Sequence, residues 1–112
     1  DSCPTWIPKD YALKTVTVRD SEGLFRISGV YRSERGELLI RFTNFKVFNE
    51  NYWGNVIERD ENGSIFKNGE NEFYITTNSN QLKAGWIQNS NFYEVIGQVS
   101  EDEIKEILKS IS

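Results

Sequence analysis

Gln81–Gln88 (QLKAGWIQ), Asn91–Gln98 (NFYEVIGQ) and Ser100–Ile111 (SEDEIKEILKSI) decide the fold of this chain. The first two runs are rich in aromatic and β-branched residues, and only Asn89-Ser90 separates them, so they read as a β-hairpin. The third opens on Ser100 with Glu103 three positions on, the reciprocal capping box of a helix start. Ile104, Ile107, Leu108 and Ile111 follow at i, i+3, i+4 and i+7, so one stripe of the helix is apolar and needs a sheet to cover. Acids fill the first turn while Lys105 and Lys109 come later, as the helix dipole favours.

Upstream, Asp20-Ser21-Glu22-Gly23, Ser33-Glu34-Arg35-Gly36 and Asp60-Glu61-Asn62-Gly63 each begin with Asp or Ser and end in Gly. Phe66-Lys67-Asn68-Gly69 repeats the ending. These are hairpin turns. Between them Leu13–Arg19, Leu24–Arg32, Glu37–Phe45 and Glu72–Thr77 read as strands, with shorter ones near Asn55–Arg59 and Ser64–Lys67. Phe25, Ile27 and Tyr31 alternate with Arg26, Ser28 and Arg32, and Leu38, Ile40 and Phe42 with Glu37, Arg41 and Thr43. Half-buried antiparallel strands alternate in this way. The expected fold is α+β: a curved antiparallel sheet of six to seven strands, mostly a meander, with one C-terminal helix packed on one face. Residues 1–112 form a single domain, with 1–6 a frayed lead-in, 13–98 the sheet and 100–111 the helix.

Composition narrows function chiefly by exclusion. There are 13 basic and 17 acidic residues, a net charge of −4, and the basic ones are scattered among acids, which disfavours a nucleic-acid surface. The absence of histidine excludes Ser-His-Asp and Cys-His catalysis and removes the commonest transition-metal ligand. Cys3 is single, so neither an internal disulfide nor a zinc site can be built from it, and it reads as an anchor or an incidental terminal residue. No Gly-rich phosphate loop occurs, and the calcium-loop reading of Asp60 fails because Ile65 and Asn71 occupy the positions of the required Gly and Glu. No catalytic, cofactor-binding or metal residue is assigned. Methionine is absent, position 1 included, which reads as a piece of a longer protein, with any membrane attachment through a segment outside this chain.

Two aromatic groups stand out as binding candidates. Phe48, Tyr52 and Trp53, near Phe45, lie in a polar, turn-prone stretch where no strand or helix period explains them. Tyr and Trp dominate binding hot spots, so the 48–54 loop is the expected docking site for a protein or peptide partner. Trp6 and Tyr11 flank Pro8 and are expected to pin the N-terminal segment to the sheet edge.

Trp6-Ile7-Pro8-Lys9-Asp10-Tyr11 resembles the "Pro-x-Gly-Tyr" opening of the domain of unknown function 4367 family, with Asp10 standing where the family usually has Gly. Trp86, Tyr93, Val95, Gly97 and then Ser100–Ile111 resemble that family's closing module. The resemblance implies a bacterial, envelope-associated, anti-sigma-factor-like protein, with this domain outside the cytoplasm after a membrane helix or lipid anchor. It brings no catalytic residue. The expected function is non-catalytic sensing or interaction. Distant similarity to half-barrel lipoprotein carriers adds a rival, an apolar ligand held between sheet and helix in a cavity lined by Phe42, Phe73, Trp86 and Ile107.

Overall fold

The computed structural model describes residues 4–45, 64–69, 71–78, 80–88 and 91–111. Among them run seven strands, β1 (Ala12–Asp20), β2 (Leu24–Ser33), β3 (Gly36–Phe45), β4 (Ser64–Asn68), β5 (Asn71–Asn78), β6 (Gln81–Gln88) and β7 (Asn91–Gly97), then one helix, α1 (Glu101–Lys109). All pair antiparallel in one open sheet of order β1-β2-β3-β7-β6-β5-β4. The fold is therefore α+β, as the sequence implies. Two meanders, β1–β3 and β4–β7, join where β7 docks on β3, so the last strand lies at the centre. Burial explains that order: β1 is exposed along its whole length and β4 nearly so, while β7 is mostly buried. The most apolar strands take the positions that are covered on both edges. The expected strand near Asn55–Arg59 lies outside the described residues.

Strand alternation sorts side chains onto two faces. Leu38, Val95, Ala84, Trp86, Ile75 and Phe73 fall on the helix face, as the cross-strand partners show. With Ile104, Ile107, Leu108 and Ile111 they form one core cluster. The capping box is present: Glu103 N donates to Ser100 Oγ at 3.1 Å and Ser100 N to Glu103 Oε1 at 2.9 Å. Gly97 explains one small residue of the closing motif. A Cβ there would sit 2.8 Å from the Glu37 carbonyl oxygen and 2.9 Å from the Leu38 Cα, so β7 closes on β3 only because no side chain intervenes. Gly97→Ala is expected to lower stability by roughly 1–3 kcal/mol through overpacking, read by urea denaturation.

The N-terminal segment corrects an expectation. Thr5 and Trp6 are not frayed: their backbone N–H groups donate to Ser110 Oγ at 3.0 and 3.2 Å, and Thr5 Oγ1 donates to the Ser110 carbonyl at 3.0 Å. The end of α1 offers acceptors that the segment satisfies. Tyr11, not Trp6, is the pin. It is buried and its hydroxyl donates to the Gln98 carbonyl at 2.7 Å, whereas Trp6 is 38% exposed.

Arg35, from the β2–β3 turn, ties this segment to the helix. Its guanidinium lies over the Tyr11 ring and bonds both Asp10 (2.8 Å) and Glu103 (2.7 Å). These bonds hold both carboxyls below their usual range and raise the Arg35 guanidinium. A carboxyl depressed in the folded state contributes stability above its unfolded value and loses it as pH falls through the folded one. Wild type is thus expected to lose more stability than Arg35→Gln as pH falls through and below the ordinary carboxylate range, checked by parallel denaturation series. Parallel curves would show that the three-way contact contributes nothing.

Candidate ligand-binding groove

A nine-residue helix is about 13–14 Å long, whereas seven strands at ~4.8 Å spacing span about 29 Å. One helix cannot cover such a face. Its buried stripe sits over the β4–β7 half, and the β1–β3 half of the same face stays open. Leu13, Val16 and Val18 on β1 and Ile27 on β2 are 53%, 57%, 63% and 38% exposed, a contiguous apolar strip by cross-strand register. Contiguous apolar exposure of this kind marks interaction sites more often than isolated residues do.

The open half is a groove of about 470 Å³ lined by Pro4, Leu13, Val16, Ile27, Gly29, Tyr31, Ile40, Arg41, Phe42, Trp86 and Tyr93. Its volume lies in the range typical of small-molecule sites. Gly29 supplies floor without a side chain; a Cβ there would meet its neighbours at 3.7–3.9 Å, ordinary contact, so the space above it is real. Arg41 is the one charged residue along the lining among those described, and Glu94 engages its Nε at 3.1 Å.

A ladder of rings forms the inner wall. Phe42 and Tyr93 lie 5.2 Å apart and tilted, Tyr93 and Trp86 stack at 5.1 Å and 10°, and Trp86 meets Phe73 edge-on at 5.0 Å. Phe73 in turn stacks on Phe66 at 6.0 Å, under Lys105 of α1. The ladder therefore runs from the open groove to the space beneath the helix. Such ring pairs add stability beyond their buried area. Trp86 is 2% exposed, and its indole N–H has no acceptor among the described residues.

Of the residues expected to line a cavity, Phe42 and Trp86 do so. Phe73 and Ile107 do not: both are fully buried in the filled core between sheet and helix. The free volume lies beside the helix, because interiors pack without voids wherever two apolar faces meet. Phe48, Tyr52 and Trp53 lie outside the described residues. Leu13, Val16, Ile27, Tyr31 and Ile40 do not stand out as site residues in the sequence, since each looks like an ordinary core position on its strand. The signal that finds them is the mismatch between one short helix and seven strands.

The sequence model of the family described as "Domain of unknown function (DUF4367)" matches residues 2–111. No curated protein matches the chain. Among solved structures, the chain is similar to a GTP binding regulator from Thermotoga maritima, at 18% identity and a TM-score of 0.59 over 92% of this chain and 78% of that one. At that identity the likeness concerns the fold alone.

Proposed function

The chain belongs to the DUF4367 family, and we propose that it is a non-catalytic sensing or interaction module which takes an apolar chain, such as a lipid acyl group, into the groove beside α1. We place it outside the cytoplasm of a bacterium, as part of a membrane-anchored protein. The single observation that carries the binding reading is the groove itself, about 470 Å³ of apolar-lined space on a face whose other half is filled. Its lining also selects the occupant. A peptide entering it would need partners for its amide groups, and the wall offers chiefly rings and aliphatic side chains, with few polar groups. An alkyl chain has no such need. The resemblance of the Trp6–Tyr11 opening and the Trp86–Ile111 closing module to a family expected in the bacterial envelope supports the location. The GTP binding of the structural neighbour is not carried to this chain, whose sequence has no phosphate loop of the P-loop type.

Titration with the fluorescent polyene cis-parinaric acid tests the reading. Wild type is expected to bind it saturably. Gly29→Leu, which places a side chain in the groove without backbone strain, is expected to bind about tenfold or more weakly, ~1.4 kcal/mol, with unfolding unchanged. Equal binding by a folded Gly29→Leu would remove the groove as the site.

A further inference from the structure

The face opposite the groove carries a cluster of cations, two of which, Arg19 and Arg26, have no ion-pairing carboxylate among the described residues. Arg19 on β1 pairs directly across from Arg26 on β2, and Arg26 across from Thr43 on β3. Directly opposed side chains have Cβ atoms roughly 4.5–5.5 Å apart, and like charges so placed destabilise a sheet. Arg41, two residues before Thr43 on the same face, is the diagonal neighbour of Arg26 at roughly 7–8 Å. The face's buried carboxylate, Glu94, is already shared by Arg41 at 3.1 Å and Lys83 at 3.8 Å. Among the described residues no carboxylate lies within ion-pairing distance of Arg19 or Arg26, although Glu94 acts on Arg26 from farther off. Strand alternation puts Asp20, next to Arg19, on the other face. Desolvation and then repulsion from Arg41 and Arg19 lower the Arg26 pKa from its ordinary value.

The arrangement is also preorganised. Arg26 Nε donates to Thr43 Oγ1 at 3.1 Å, and Thr43 is fully buried, so one edge of the guanidinium is fixed. Among the described residues that bond leaves its two terminal amino groups open to chelate an oxyanion in the fork geometry arginine favours. In a chain of net charge −4, a cost of this kind concentrated in one patch is one that a bound anion would offset. We propose that Arg19 and Arg26, with Arg41 beside them, form a binding site for a phosphate group on the face opposite the groove. The site is independent of the apolar ligand: strand alternation turns the Arg41 side chain, paired with Glu94, away from the groove face that Ile40 and Phe42 share.

The test has two arms, because a phosphate group can come free in solution or on a lipid headgroup. In the first, thermal unfolding is followed with inorganic phosphate against chloride at constant ionic strength. In the second, co-sedimentation is measured with phosphatidylcholine vesicles with and without phosphatidic acid. The double variant Arg19→Gln/Arg26→Gln is expected to bind at least about tenfold more weakly in whichever arm responds, while Arg32→Gln, whose partner is Glu37 at 2.6 Å, behaves as wild type. A response to phosphate alone identifies the free ion; a response to phosphatidic acid identifies the headgroup. In phosphate-free buffer of low ionic strength Arg19→Gln is expected to be at least as stable as wild type, because it relieves repulsion. The proposal is overturned if neither arm responds, if the response survives the double substitution, or if Arg19→Gln is destabilised without phosphate.

Discussion

Ile107→Ala is expected to cost roughly 2–5 kcal/mol of folding stability, measured by urea or thermal denaturation. Ile107 has no exposed surface and lies in the middle of the stripe that seals Leu38, Ala84 and Val95 from water. Truncation removes transfer energy and leaves a cavity that the sheet, pinned by backbone hydrogen bonds, cannot close. Leu108→Ala should fall in the same range for the same reason. A loss below about 0.5 kcal/mol at both positions would mean that α1 is not docked, since surface changes rarely exceed that amount.

Trp86→Ala is expected to be at least as damaging, roughly 3–5 kcal/mol. The indole is stacked on Tyr93 and edge-on to Phe73, so its loss opens a hole between core and groove and deletes two ring contacts. Trp86→Phe separates packing from the polar handle. It keeps a ring in the ladder while removing an N–H that has no acceptor among the described residues, a group that is costly to bury. The Phe variant should therefore retain most of the stability that Ala loses. If both variants lost equally, the ladder would not be what holds this wall together.

Local chemistry was the legible part of this fold. The capping box at Ser100, the apolar stripe Ile104, Ile107 and Leu108 of α1 and the hairpin around β6 and β7 all follow from short-range patterns, and the structure has them. The expected helix to Ile111 ends at Lys109, with Ile111 buried just beyond it. The join of β3 to β7 was not legible. It depends on which strands are apolar enough to sit centrally, and that is settled by burial across the whole sheet. The groove falls in the same class. Val16 and Ile27 look like core residues in one dimension, and only the width of the sheet against the length of α1 leaves them uncovered. Arg19 and Arg26 are seven positions apart in sequence and become direct neighbours only through the register of β1 on β2.

The central claim is that the open half of the helix face, beside α1 and not beneath it, receives an apolar chain. Nuclear Overhauser contacts between a bound saturated fatty acid and methyl-labelled protein measure this most directly. The account predicts contacts to the methyls of Leu13, Val16, Ile27 and Ile40, which line or border the groove, and none to those of Ile104, Ile107 and Leu108, which are fully buried in the filled core. Contacts confined to the helix methyls, or no contacts at saturating ligand, would contradict it.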